Sequence, residues 1–409
     1  MTCKPHTLLI LTMFLIGLYS PSSIGGVYSQ TLWGFYGVLF VVLLSRLLID
    51  RDGLSTPWLC VNSILMIASL LAGTILSPFS DYRWGGLVGF LLLAVLYLVT
   101  LRDVSAGQIL QTFFVIANVL NVFISAAIIL GSDTVDRFLI QHYSSFYPDL
   151  VEMMTTFRKP ILSFATHSAA AFFFYLFFLL NFETYKLRKK TIFMGFSLSY
   201  IILGFALLSF SGMALMSFAT FQIGHYIAQR RRKAFLIVMS IVLVVSGAVL
   251  YRYFADIENL ATAIDAVNTA VTSPTNGFLG RFSQLGTLFD TINYLRNHPF
   301  SPVGVSYRAD LFFGDSGPVE YYLRGSIFLV LTVYIGLFAF LRRNLIRRSD
   351  AYLLFVVITG FELGFGSLTY IRTLYLLPVF VVYLNDLRRG AGESGEPLMP
   401  AFGPRAVLP

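Results

Sequence analysis

Residues 212–251 read GMALMSFATFQIGHYIAQRRRKAFLIVMSIVLVVSGAVLY. Two predominantly apolar runs flank four consecutive bases, Arg230, Arg231, Arg232 and Lys233. Crossing a hydrocarbon core takes about 20 mostly apolar residues, and each run is close to that length. The basic turn between them reads as a cytoplasmic loop, because short loops rich in Lys and Arg stay on that side of a membrane.

The pattern repeats outward along the chain. Hydrophobic residues make up 56% of it, charged residues 12%, and mean hydropathy is +0.75. A soluble domain carries roughly 25% charge, so the composition predicts an all-α, polytopic transmembrane helical bundle. Twelve candidate spans are read at roughly 7–22, 31–49, 57–77, 84–101, 107–130, 160–181, 191–209, 212–229, 234–251, 318–341, 351–369 and 373–387. The first is short and follows Lys4, as a signal peptide would, but no small-x-small cleavage site follows it, and it is kept as a helix. With the N-terminus inside, the cytoplasmic segments collect Arg46, Arg51, Lys186, Arg188, Lys189, Lys190, the 230–233 cluster, Arg342, Arg343, Arg347, Arg348, Arg388 and Arg389. That alternation places both termini on the cytoplasmic side. A net charge of +8 then reflects basic loops, not a nucleic-acid partner.

Four parts follow: residues 1–251 with nine spans and an external loop at about 131–159; a long external, periplasmic loop at 252–317; the last three spans at 318–387; and a cytoplasmic tail at 388–409. Within the long loop, Ile257, Leu260, Ile264, Val267 and Val271 recur at helical spacing, as do Leu279, Phe282, Leu285, Leu288, Ile292 and Leu295. These predict amphipathic helices, the second ending at His298-Pro299. Pro299, Pro302, Gly304, Gly314 and Gly317 make the remainder irregular. The tenth span has a readable start: Gly317 suits the N-cap, Pro318 the first position, and Glu320 then falls near the positive end of the dipole, four residues before Arg324.

Chemistry is sought first in residues 280–325, which gather Arg281, Arg296, Arg308, Arg324, Asp290, Asp310, Asp315, Glu320 and His298. The chain lacks a nucleotide-binding glycine loop, an HExxH pair and a glycine-flanked serine elbow. Cys3 and Cys60 offer no disulfide framework and no metal-ligand spacing. Fixed positive charge at Arg158, Lys159, Arg281, Arg296, Arg308, Arg324 and Arg372, all on the external side, suits a diphosphate, because guanidinium groups bind phosphate bidentately and keep their charge.

Three pieces carry a resemblance to a family. Arg158-Lys159-Pro160 with SFATHSAAAFFFYLFF opens a helix after an external loop; LLSFSGMALMSFATF makes a hairpin before a basic turn; and Arg281 is followed by NHPFSPVGVSY and GDSGPVEYYLRGS. In these the chain resembles the O-antigen polymerase and O-antigen ligase superfamily, the Wzy-type polysaccharide polymerases and their relatives. The resemblance implies an inverting, metal-independent glycosyltransferase needing no cofactor. It would join undecaprenyl-pyrophosphate-linked repeat units on the outer face of the bacterial inner membrane, alongside chain-length regulator and flippase proteins. It implies that Arg158 and Arg281 hold the donor pyrophosphate with Arg308 or Arg324 assisting; Lys159, Glu320 and Arg372 are candidate substrate contacts beside them. Ligases of the family usually carry a histidine just before the helix that follows the long loop. Asp315 stands there instead, which favours a polymerase and makes Asp315 the expected base, with His298 second.

Each residue has a plainer role beside the functional one. Arg158 and Lys159 suit anchors to lipid headgroups, Arg281 a solvated helix face, Asp315 a helix-cap acid, and His167 a hydrogen-bonded bundle residue. Glu362, an intramembrane acid in GFELGFG, suits substrate contact and a structural hydrogen bond equally. Two alternative functions stand beside polymerase: a ligase of the same superfamily, and a lipid-linked oligosaccharide flippase or transporter.

Overall fold

The computed structural model describes residues 5–19, 29–49, 56–82, 84–143, 148–164, 166–207, 209–230, 288–298, 302–306, 311, 316–364 and 366–393. Among these residues all regular structure is helical: α1 (Pro5–Tyr19), α2 (Ser29–Ile49), α3 (Pro57–Ile75), α4 (Gly85–Leu98), α5 (Gly107–Leu130), α6 (Asp133–Tyr143), α7 (Pro148–Thr155), α8 (His167–Arg188), α9 (Thr191–Ala206), α10 (Phe210–Arg230), α11 (Phe289–Asn297), α12 (Gly317–Asn344), α13 (Arg348–Glu362) and α14 (Ile371–Glu393). An isolated antiparallel bridge joins Tyr82 to Ser306. By length and composition α3, α5, α8 and α12 are able to cross a membrane, and shorter apolar stretches lie in α1, α2, α4 and α9.

The core forms around two helices. From Ala169 to Leu180 α8 is apolar on every face, and Phe172, Phe173, Phe174, Phe177 and Phe178 are all buried; a helix of that kind belongs in the middle of a bundle. α14 is buried from Ile371 to Leu387. α1 and α8 pack on α14, α9 and α10 on α8, α3 on α12 and α4, α2 on α4, and α13 on α12. The outward faces carry Ile64, Phe123, Phe218, Phe221, Phe328 and Val356, with Phe123 70% exposed. Apolar exposure on this scale suits hydrocarbon better than water.

Hydrogen bonds fix which helix ends lie together. At one end Arg46 of α2 and Arg343 of α12 both reach Thr100, the Asn344 side chain holds Leu101 and Val99, and Asp386 of α14 accepts from the backbone of Ala106 and Gly107. Arg388 there donates through Nε and Nη2 to both oxygens of Asp350, at 2.8 Å each, and through Nη2 to Glu183, also at 2.8 Å. Lys186 pairs with the other oxygen of Glu183. The 186–190, 342–348 and 388–389 bases lie at this basic end. At the opposite end lie the close of α3, the starts of α4, α8, α12 and α14, and the loops that join them.

Several boundaries differ from the sequence reading, each for a local reason. The segment read as a span from residue 160 becomes helical only at His167. Arg158 (φ 53°) and Leu162 (φ 56°) adopt left-handed backbone, Pro160 has no N–H, and Thr166 caps α8 by accepting from Ala169 N at 3.1 Å. The segment at 131–159, read from the sequence as an external loop, contains α6 and α7. The tenth span starts with Ser316, not Gly317, as its N-cap, and it is interrupted at Gly325 and Ser326. The tight hairpin at 209–212 is present, with Gly212 N donating to Ser209 Oγ and no room for a side chain at Gly212 against Gly204 O. The run at 234–251, the amphipathic run at 257–271 and the tail beyond 393 lie outside the described residues. Of the second amphipathic run, Phe289–Asn297 is helical and ends at His298, as the following Pro299 requires.

The buried cluster of Arg388, Glu183 and Asp350 yields a first prediction. Their side chains are all under a tenth exposed, and removing the cation leaves the buried Asp350 without the donor to both its oxygens and Glu183 with Lys186 alone. Arg388→Ala is expected to cost about 3–5 kcal/mol, read as a lower thermal-unfolding midpoint of the purified protein in detergent. An unchanged midpoint would show that the cluster contributes nothing to stability.

Candidate functional site

The site grows from the break in α12. Residues 317–324 form a half-helix, Gly325 leaves helical geometry at φ −143°, ψ 22°, and Ser326 takes φ 62°, ψ −168° before the helix resumes. Positive φ at a serine costs on the order of 1–3 kcal/mol, so its surroundings must over-determine it. They do so through backbone pairing. Val303 N donates to Leu323 O at 2.7 Å and Gly304 N to Arg324 O at 2.9 Å, supplying donors to the last carbonyls of the half-helix. Interrupted backbone inside an apolar bundle persists only where such partners exist.

Segment 302–306 is itself pinned to α3. Val305 N donates to Thr74 Oγ1 at 3.0 Å, and the Ser306 and Ser77 hydroxyls lie 2.7 Å apart. Gly304 (φ +56°) sits so close to Thr74 that a Cβ would fall 2.2 Å from its nitrogen, and a Cβ at Gly73 would fall 2.2 Å from Arg324 O. Both glycines therefore serve close approach of backbones.

This frame orients two charged side chains. Arg324 donates from Nε to Glu320 Oε1 and from Nη1 to Gly304 O, both at 3.0 Å. The two side chains are only 15% and 12% exposed. The other Glu320 oxygen faces the turn after α13, where a Cβ at Gly366 would lie 3.2 Å from it. α11 joins the same region through a small apolar cluster in which Phe79, Tyr294 and Leu295 pack on Val303, Leu311 and Leu323. His298 caps α11, is exposed, and stacks on Tyr294 at 4.9 Å.

Glu362 is the polar centre beneath. It is fully buried. Oε1 accepts from Ser367 Oγ at 2.6 Å, from Leu368 N at 2.7 Å and from Ser367 N, while Oε2 accepts from Tyr321 OH at 2.7 Å and Tyr334 OH at 3.4 Å. One carboxylate thus joins the end of α13, the turn leading to α14, and both halves of α12. Of the two roles that the sequence leaves open for Glu362, the geometry is that of a structural acceptor. Gly317 makes room for it, since a Cβ there would lie 1.8 Å from Oε2. No local sequence signal ties Glu362 to Gly317, Tyr321 and Tyr334, because that proximity arises only when the helices pack.

The other sequence-derived residues fall elsewhere. Arg158 donates from Nη1 to both oxygens of Asp136, at 2.8 and 2.7 Å, and covers Gly131 at the end of α5. Lys159 is next to it, and partial burial holds its amine below the ordinary lysine range. Arg372 is fully buried: Nη1 donates to Gly17 O, Leu18 O and Ser163 Oγ, Nε donates to Tyr370 OH, and the guanidinium lies 5.7 Å from the Phe164 ring centre. That is an anchor joining α1, the 161–164 turn and α14. Arg296 is exposed on α11. Arg281, Arg308 and Asp315 lie outside the described residues; Asp315 directly precedes the N-cap Ser316. Glu320 and Arg324 are therefore brought together, His298 stands on a helix tied to them, and Arg158, Lys159 and Arg372 make separate contacts.

Comparison with known family models, curated proteins and solved structures finds no match for this chain.

The glycine contacts make that geometry testable. Gly73→Ala is expected to cost about 1–3 kcal/mol by overpacking, because the Arg324 carbonyl must move. Gly34→Ala, at a position with open space around it, is expected to stay within about 0.5 kcal/mol. Thermal unfolding in detergent compares the two, and equal midpoints would refute the close approach of α3 to the break. Glu362→Ala leaves several buried donors without an acceptor, at about 1–3 kcal/mol each. It should therefore be far more damaging than Glu362→Gln, which keeps an acceptor oxygen; equal behaviour of the two would refute the acceptor role.

Proposed function

We propose that this chain is a membrane glycosyltransferase of the polysaccharide-polymerase type, with twelve membrane crossings and cytoplasmic termini. It joins undecaprenyl-pyrophosphate-linked repeat units at the end of the bundle opposite its basic clusters. The observation that supports this reading most directly is the broken α12. It sets a guanidinium, Arg324, against the carboxylate of Glu320 in a largely enclosed position at that end.

In this reading the acceptor hydroxyl attacks the anomeric carbon of the donor, and the lipid pyrophosphate departs with the bonding electrons. Arg324 stabilises the charge that develops on the leaving phosphate, as a fixed, preorganised donor does. Glu320 positions it, holding Nε so that the planar fork keeps one orientation. Arg281 and Arg308 assist on the polyprenyl pyrophosphate, and Asp315, just ahead of the half-helix, takes the hydroxyl proton, with His298 as second choice. Chain-length regulator and flippase proteins act beside it. A ligase of the same type shares this chemistry and differs in its acceptor.

Transport is the second reading, and one observation favours it: discontinuous helices are a device of secondary transporters. Two features weigh against it. The break falls eight residues into a 28-residue helix, about 12 Å from its start, so it lies off centre. Two of the carbonyls at the break accept from Val303 and Gly304, where a transporter leaves carbonyls to coordinate an ion.

Purified protein in nanodiscs, with no gradient, tests the choice. Wild type is expected to convert lipid-linked repeats to polymer, and Arg324→Ala to slow this by about 10²-fold or more at equal protein level. Normal polymer from Arg324→Ala would remove that residue from the site, and no conversion by wild type would favour transport. A deletion strain whose acceptor still carries single repeat units indicates a polymerase; one with nothing attached indicates a ligase.

A further inference from the structure

A second feature lies on the outer surface of the bundle, where α12 and α13 pack side by side. After its break α12 runs on to Asn344, and Leu331, Ile335, Phe338 and Arg342 recur along it at spacings that place them on one face. On α13 the matching face carries Arg348, Tyr352, Phe355 and Val356. The two faces meet through their rings: Phe338 lies 5.5 Å from Tyr352 and 5.3 Å from Phe355, centre to centre. Leu331, Ile335, Tyr352 and Val356 are exposed, Val356 by 66%, so the pair forms an open apolar seam on the surface.

Two cations stand where this seam reaches the basic end. The Arg342 guanidinium rests on the Tyr352 ring, 5.6 Å from its centre, and its Nη1 is buried with no acceptor among the described residues. Arg348 opens α13 and is exposed. Neighbouring charges are engaged inward instead: Arg343 donates to Thr100, and Asp350 and Glu183 both accept from Arg388. The one acid in the first turn of α13, Asp350, is therefore turned away from the seam and buried. From Arg342 back to Leu331 the stripe covers about 16 Å at 1.5 Å per residue, close to the roughly 15 Å of hydrocarbon in one leaflet.

We propose that this seam holds one anionic phospholipid of the leaflet at the basic end, with its phosphate at Arg342 and Arg348 and one acyl chain along Tyr352, Phe338, Ile335 and Leu331. The proposal rests on the membrane placement of the bundle and is independent of the glycan chemistry. Charge complementarity selects the headgroup, since guanidinium groups recognise phosphate through directed N–H groups and bases near a membrane surface attract acidic lipids. The exposed apolar stripe selects a lipid over a soluble phosphate, which would cover the arginines alone. A second copy meeting through the same face would set Arg342 and Arg348 near their own counterparts, as a two-fold interface requires, and would bring like charges together.

The full-length protein in nanodiscs of equal phosphatidylglycerol and phosphatidylcholine tests this, with retained lipid read by native mass spectrometry. Wild type is expected to retain phosphatidylglycerol over phosphatidylcholine by about tenfold or more, the order expected for two nearby charges. Arg342→Gln/Arg348→Gln should lose most of that preference. Arg102→Gln/Lys190→Gln removes two exposed charges of the same end outside the seam and should keep it. Tyr352→Ala leaves both arginines and removes the ring beneath Arg342, and it should lower retention. Equal retention of the two lipids by wild type, or equal loss in the two Gln pairs, overturns the proposal, the latter in favour of diffuse surface charge. Displacement of the lipid by equimolar glycerol phosphate overturns it in favour of a soluble phosphate. A lipid-free dimer that dissociates on Tyr352→Ala overturns it in favour of a second copy. If the Arg342→Gln/Arg348→Gln protein fails to fold, Tyr352→Ala decides.

Discussion

Two backbone hydrogen bonds, from Val303 and Gly304 to the carbonyls of Leu323 and Arg324, hold open the break in α12. A helix interrupted in an apolar bundle leaves polar groups that lipid cannot satisfy, at a cost of several kcal/mol each. The interruption therefore exists only because segment 302–306 brings donors to it, and that segment reaches them because Gly73 and Gly304 let three stretches of backbone close to contact. The orientation of Arg324 and the enclosure of Glu320 follow from the same arrangement.

Glu362 carries the constraint further. Its hydrogen bonds join α13, the turn before α14 and both halves of α12, so the half-helix is clamped on one side by 302–306 and on the other by a buried carboxylate. Such a network is rigid when every member is satisfied. Rigidity of this kind suits a site that must present a guanidinium in one direction. The basic end uses a comparable device, with Arg388 shared between Asp350 and Glu183 across three helices.

The two ends of the bundle thus differ in chemistry. One gathers most of the arginines and lysines around the shared Arg388; the other gathers interrupted backbone and the Glu320–Arg324 pair.

Helix positions were legible in the sequence because apolar run length and basic turns report directly on partition between lipid and water. The hairpin at 209–212 and the end of α11 at His298-Pro299 were legible for local reasons of turn geometry and proline sterics. The i, i+4 pairing of Glu320 with Arg324 was also local. By contrast, the start of α8 at His167 depended on a cap and left-handed residues that hydropathy does not register. The break at Gly325 and Ser326, the buried contacts of Arg372 and the acceptor role of Glu362 depended in part on partners between 20 and 355 residues away. The sequence by itself determined which segments avoid water, since that is a property of each segment alone. Only the tertiary structure decided which polar groups meet inside them, because a buried donor takes whichever acceptor packing brings within reach.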